Sequence, residues 1–410
     1  MNYCTVEPVR SDALDFPSRH AWNLFLALNH PAVDEKIERG MPDCSKPIGS
    51  PGTTSVWETW RNAATEVFPL NKGGVEPPQW NDTTLFPDEP PGSVPEIAAA
   101  NAENMSPQER KALLSFHDMA DSLISPQFSP GDGVFKGGGG FGETRMNRST
   151  YEFIKRNCLW SAQGMQRYAQ AILDGKKLPL VFDPDSIEVK AAWLDLKAHN
   201  IPNEKWREYY STTWKDPADG VEKVYGLTSL HIITKDVSNW FWASFHHKNA
   251  PENDAFETED SYGMPPVLKG TVWEKYKLGG TQTDFVKPTG EPTILSDYYV
   301  EFGFQKSSCI SCHATSAIGV KMPDFPRGGP NQAKATCLLG TNISEVPCNE
   351  LIDSRLFESG KLIRELGAPL PEWFEEDGKK AYFQTDFVWS IPFRASRVIE
   401  TSAPPARCVW

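Results

Sequence analysis

Excess positive charge, long apolar runs and the common hydrolase signatures are all missing from this sequence. Its 410 residues carry 41 Lys and Arg against 54 Asp and Glu, a formal net charge of −13. That balance argues against nonspecific binding to nucleic acid or to an anionic membrane. No run approaches the roughly 18 apolar residues of a membrane span, and the stretch Trp22 to Leu28 is far too short. Gly-x-Ser-x-Gly, His-Glu-x-x-His and Walker motifs are all absent, so the usual esterase, metalloprotease and nucleotide-binding readings have no support. The run Gly137 to Gly140 lacks the Gly-Lys-Ser/Thr ending of a phosphate loop and follows no clear strand, which leaves a surface loop or a lid. No internal repeat is visible.

Apolar residues make up 39% and charged residues 23%, ordinary globular usage that excludes global disorder and permits a sizeable core. Fourteen Trp and 34 Pro point to a rigid, loop-rich chain with large aromatic walls. The length allows two or three domains or one large integrated one. Pattern reading divides it into a helical and loop region over 1–125, an α+β region over 126–295 and a C-terminal region over 296–410.

The eight cysteines hold one close pair, Cys309 and Cys312, followed at once by His313. Cys-x-x-Cys-His is the attachment pattern of c-type haem. The spacing follows from the chemistry. Two thiols must reach the two vinyl groups of one porphyrin, and the adjacent imidazole must fall under the iron as proximal ligand. Eight Cys and eight His in 410 residues make a chance match worth about 0.003 per chain. A thioredoxin-like redox pair and a zinc site recruiting Cys337 and Cys348 are the competing readings. Haem c attachment needs an oxidising compartment, so the expected location is periplasmic or secreted, with an export signal removed. Cys4, Cys44, Cys158, Cys337, Cys348 and Cys408 then allow up to three disulfides. Cys337 with Cys348 is the most local of the 15 pairings that six cysteines permit.

The predicted fold is α+β: a helical N-terminal part, central antiparallel strands, a C-terminal haem c segment and many loops. Helices are predicted from Ala21 to before Pro31, over Ser55 to Val67, from Ser106 to Ile124, from Thr150 to Leu173 and from Asn349 to Leu366. Strands are predicted over Ser186 to Trp193, Val224 to Thr234, Trp240 to His247, Thr271 to Tyr276, Thr293 to Phe304 and Phe383 to Ile391, with a turn at Asp236 to Asn239.

The sixth iron position separates electron carriage from chemistry, since a strong axial ligand favours the first and an open site the second. Met322, in Val-Lys-Met-Pro-Asp-Phe, is one candidate, although it lies only nine residues beyond His313. His246 and His247 end an aromatic strand, and alternation sends them to opposite faces, so only one can reach a given haem, with His247 the preferred one. Either could ligate iron or act as acid and base. His231 in the neighbouring strand and Met264 are further candidates. Arg145 and Arg148 could pair with haem propionates, because a guanidinium fork suits a carboxylate.

Several segments together resemble a family. They are Trp22-Asn-Leu-Phe-Leu-Ala-Leu-Asn-His-Pro31, Ser55-Val-Trp-Glu-Thr-Trp60, Arg145-Met-Asn-Arg-Ser-Thr-Tyr-Glu-Phe153, Ser186-Ile-Glu-Val-Lys-Ala-Ala-Trp193 and Leu230-His-Ile-Ile-Thr-Lys235. The clearest are Trp240-Phe-Trp-Ala-Ser-Phe-His-His247 and Gln305-Lys-Ser-Ser-Cys-Ile-Ser-Cys-His313. The chain resembles bacterial proteins described as cytochrome c family proteins, over most of residues 20–315. The resemblance implies a secreted or periplasmic protein with one haem. His246 stands where the family strand tends to have Glu, in Phe-Glu-His, and His247 matches the family His. His30 stands where the family tends to have Trp.

Three functions follow as expectations. The first is electron transfer with a redox partner protein, suited by the acidic charge. The second is a haem-dependent peroxidase or oxygenase acting on a small organic substrate in an aromatic-lined pocket, suited by the more than 290 residues that precede the motif. The third is a haem-based sensor of a small ligand.

Overall fold

The computed structural model describes residues 4, 6–68, 76–82, 140–215, 221–250, 256–297, 308–320, 357–358, 361–362, 367–376, 378–394 and 403–410. The segment 106–124, Met322, Cys337 and Cys348 lie outside the described residues, as does most of the glycine-rich segment.

The centre is one antiparallel sheet. Its strands are β1 (Arg61–Asn62), β2 (Gly140–Met146), β3 (Ile187–Asp195), β4 (Ser211–Lys215), β5 (Glu222–Thr234), β6 (Phe241–His247) and β7 (Tyr276–Gln282). The order is β1-β2-β3-β5-β6-β7, and β4 pairs with one end of β5. β5 and β6 form the expected hairpin, closed through Asp236 to Asn239, with Ile232 opposite Ala243 and His231 opposite Ser244. β3 and β5 carry β-branched and apolar residues on both faces and are buried along nearly their whole paired length. Both faces of the sheet are therefore covered.

One face is covered by helix α2 (Pro17–Leu28), which follows the short helix α1 (Asp12–Asp15). Proline suits the first helical turn, where its missing N–H costs nothing, so the helix starts before the expected Ala21. Helix α2 ends where the Asn29 side chain donates to Phe25 O at 2.9 Å, two residues before Pro31. Phe25 packs on Phe245 with ring centres 4.5 Å apart, and Trp22 meets Phe245 edge-on at 5.0 Å. Three buried tryptophans satisfy their N–H groups: Trp22 donates to Asp260, Trp57 to Asn29 and Trp193 to Glu143.

Several predicted elements break differently. Ser55 to Val67 is not one helix. Ser55 and Glu58 form a capping box on a 3₁₀ turn (Val56–Thr59), and the chain then runs into β1. Glu58 also accepts from Tyr210, and burial pushes its carboxyl up to about 7. Thr150 to Leu173 divides into α3 (Arg148–Arg156) and α4 (Ala162–Leu173). The break is at Cys158, whose φ of 58° cannot continue a helix. Cys158 is bonded there to Cys408. Thr271 to Tyr276 is a 3₁₀ turn leading into β7. Of the predicted strand Thr293 to Phe304, residues 298–304 lie outside the described residues, and Leu295 makes an isolated bridge to Ser308. Residues Phe357–Glu358 and Lys361–Leu362 pair as antiparallel strands where a helix was expected.

Cys4 is bonded to Cys44 and Cys158 to Cys408, with Cα atoms 5.3 and 5.7 Å apart. Among the described residues no helix is long and apolar enough to cross a membrane.

Candidate functional site

Cys309–His313 forms a one-turn helix, α5, against the other face of the sheet. Its first turn is capped by Ser308, whose hydroxyl accepts the Ser311 N–H at 3.2 Å. Gln282 of β7 accepts the Ile310 N–H at 3.3 Å, and Cys309 Sγ lies 3.7 Å from Leu295 O. The chain then enters β8 (Ala317–Gly319), which pairs with β9 (Tyr382–Gln384). The predicted strand Phe383 to Ile391 stops at Gln384 because the backbone reverses immediately afterwards. A short helix, α6 (Ser390–Arg394), follows.

His313 is the most constrained group of the motif. Its Nδ1 lies 2.8 Å from Phe387 O, and a carbonyl only accepts, so Nδ1 carries the proton and the lone pair is on Nε2. Trp242 meets the imidazole edge-on with ring centres 4.6 Å apart. Burial pushes the His313 pKa down to about 3, so the ring stands neutral. A neutral imidazole with one nitrogen fixed by the protein is the form in which histidine ligates metals.

Alternation along β6 decides which candidates share this face. Trp242 points toward His313, so Ser244 and His246 point the same way, while Phe241, Phe245 and His247 face α2. The cross-strand partners put Ser229, His231, Lys190 and Glu188 on the His313 side. Ser296 and Asp297 lie across it. Asp297 accepts from Ser229 at 2.7 Å, and its oxygens lie 4.0 Å from His231 Nε2 and 3.7 Å from His246 Nδ1. His246 Nε2 faces Glu257 at 3.3 Å, and Glu257 pairs with the half-exposed Lys277 at 3.2 Å. The two imidazoles and Ser229 hold the Asp297 carboxyl below its usual range despite burial. Close approach of these layers depends on Gly280 of β7: at φ 150° it has no Cβ to strike Thr258 and Leu295.

His247, the preferred distal candidate, is not brought to the side of the sheet that carries His313. The ring lies on the α2 side, 1% exposed, and both nitrogens are committed. Nε2–H donates to Glu208 O at 3.0 Å, and Nδ1 accepts the Asn249 N–H at 3.1 Å. Tyr209 stacks on it at 3.9 Å. His247 is a structural imidazole, and the two candidates on the motif's side are His246 and His231. Arg145 is not brought there either. Its register with Val189 puts it on the α2 side, where it pairs with Glu143 at 2.7 Å and donates to Trp60 O. Arg148 is exposed at the start of α3, and Met264 packs against the core.

Sequence reasoning missed Asp297, Glu257 and Phe387. Asp297 and Glu257 carried no motif, and Phe387 acts through a backbone carbonyl that any residue possesses. Among the described residues no group of three or more His, Cys, Asp and Glu side chains is placed to hold a metal ion. A haem c site asks for less: two cysteines a helical turn apart and one fixed, neutral imidazole. The spacing of residues 309 and 312 on α5 and the hydrogen bonding of His313 fit that requirement. No protein-family model, no curated protein and no solved structure matches this chain.

Proposed function

We propose that the chain carries one haem c, attached through Cys309 and Cys312 with His313 as proximal iron ligand, and transfers electrons to a redox partner outside the cytoplasm. The observation that carries this reading is His313 itself: a neutral imidazole held by Phe387 O through Nδ1, directly after two cysteines one turn apart. Bound there, haem supplies reversible one-electron chemistry at iron. The chain's own residues do the rest. Phe387 holds the Nδ1 proton, and Trp242 sets the ring edge. The two disulfides agree with an oxidising location, and the charge of −13 suits a basic partner. The resemblance to cytochrome c family proteins points the same way.

A second reading, a haem-dependent peroxidase or oxygenase acting on a small organic substrate, has its own support. His231, His246, Asp297 and Glu257 form a row of acid and base groups on the face that also carries His313. Such groups can take and return protons during substrate chemistry.

A pyridine haemochrome assay with absorption spectra of both oxidation states tests the proposal. Covalent haem is expected, with attachment sharply reduced in Cys309→Ala and Cys312→Ala and proximal ligation lost in His313→Ala. Low-spin spectra without rapid CO binding identify the carrier. High-spin spectra with rapid CO or cyanide binding identify the oxidoreductase. Absence of covalent haem refutes both readings.

A further inference from the structure

Thr385 to Val388 form a reverse turn, closed by the Val388 N–H on Thr385 O at 3.1 Å. Its two central residues, Asp386 with φ 50° and Phe387 with φ 71°, both lie in left-handed backbone. Positive φ at both positions marks the type I′ turn, usually built from Asn-Gly or Asp-Gly. Asp tolerates the first position. Phe at the second is an outlier.

The surroundings hold this turn at several points. Lys235 donates to Asp386 Oδ1 at 2.6 Å and to Ser238 O at 2.7 Å, and the Phe182 N–H donates to Asp386 Oδ2 at 2.7 Å. Lys235 and Asp386 are 9% and 8% exposed, so the pair is shielded from water. Ser316, three residues beyond His313, accepts the Thr385 N–H at 2.9 Å and donates to Val388 O at 3.1 Å. The Phe387 ring lies 6.2 Å from Trp242, the ring that touches His313. A strained turn persists only where its neighbours over-determine it. Here they aim one carbonyl at one imidazole.

We propose that the Thr385–Val388 turn, locked by the Lys235–Asp386 pair, is a positioning element that sets the orientation and electron-donating strength of His313. The inference rests on the haem reading above. A carbonyl accepting the Nδ1 proton pushes electron density toward Nε2 and makes the imidazole a stronger ligand, which favours ferric iron. Loosening the turn weakens that hydrogen bond and favours the ferrous state.

The test is the midpoint potential of the holo-protein, measured by spectroelectrochemistry for the wild type, Lys235→Met, Asp386→Ala and Asp386→Asn. Positioning requires Lys235→Met and Asp386→Ala to move together, each raising the ferrous-to-ferric ratio at fixed potential by roughly threefold or more. Asp386→Asn tolerates left-handed backbone but offers one acceptor oxygen to two donors, Lys235 and the Phe182 N–H, so it shifts in the same direction as Asp386→Ala and by less. Direct charge effects require a different pattern. Removing the cation then lowers the ratio, removing the anion raises it, and Asp386→Asn follows Asp386→Ala. That pattern overturns the proposal. If Asp386→Ala fails to fold, Lys235→Met still separates the two accounts, because its shift has opposite signs in them. A second readout needs no haem: nitrogen NMR is expected to show one fixed Nδ1–H tautomer of His313 in the wild type and tautomer exchange in Lys235→Met. A wild type without covalent haem removes the haem reading itself. Full haem content with the charge pattern removes only the positioning role.

Discussion

Acidification from pH 7 to pH 4.5 protonates His247 in the unfolded chain well before the folded chain accepts the proton. Burial pushes the His247 pKa from 6.5 down to about 4. In the fold its Nε2–H donates to Glu208 O, its Nδ1 accepts from Asn249 N–H, and its ring stacks on Tyr209. Protonating Nδ1 would replace an acceptor by a donor facing a donor, inside a site with 1% exposure. The stability from the neutral ring is therefore complete above pH 6.5 and lost as pH falls toward 4. At 1.36 kcal/mol per unit, the full loss is about 3.4 kcal/mol, of which about 2.5 kcal/mol has gone by pH 4.5. Urea unfolding at a series of pH values measures it, with His247→Gln as the control. The variant is less stable at pH 7, because it loses bonds and stacking, but its stability falls less on acidification, by about 2.5 kcal/mol. Carboxylates titrate alike in both proteins and cancel in the difference. Parallel pH profiles would refute the buried neutral ring. A changed haem spectrum in His247→Gln would refute its placement on the far side of the sheet.

Glu58 has the opposite sign. Its folded pKa is raised to about 7, so its stabilisation is present below its usual 4.5 and is lost as pH rises through 7. The wild type should lose up to about 3 kcal/mol between pH 5 and 8.5, less as far as water reaches the carboxyl, and Glu58→Gln should flatten that decline in thermal melts. The disulfides close loops of very different length, with separations of 40 and 250 residues. Chain entropy alone ranks them at about 4 and 5.5 kcal/mol, so the double variant Cys158→Ala, Cys408→Ala should unfold at lower urea than Cys4→Ala, Cys44→Ala.

Periodic apolar segments and the close cysteine pair were legible in the chain itself. The α2 helix, the β5–β6 hairpin and the turn between them follow from local patterns that tertiary contacts only reinforce. Elements failed where a distant partner overrode local preference. Thr150 to Leu173 reads as one helix, but Cys158 takes a left-handed backbone at its bond to Cys408. Phe383 to Ile391 reads as a strand, but Asp386 turns back to meet Lys235, 151 positions earlier in the chain.

The sequence by itself determined that two cysteines and a histidine stand at haem c spacing, that His246 and His247 point to opposite sides of a strand, and that the fold is α+β. Those properties depend on neighbours a few residues apart. Only the tertiary structure decided which of the two histidines shares a face with His313, since alternation fixes the opposition of neighbours but not which side meets the motif. It also decided that His313 is held by a carbonyl from a left-handed turn. Such a contact depends on where the folded core brings the backbone, and no side chain at position 387 announces it.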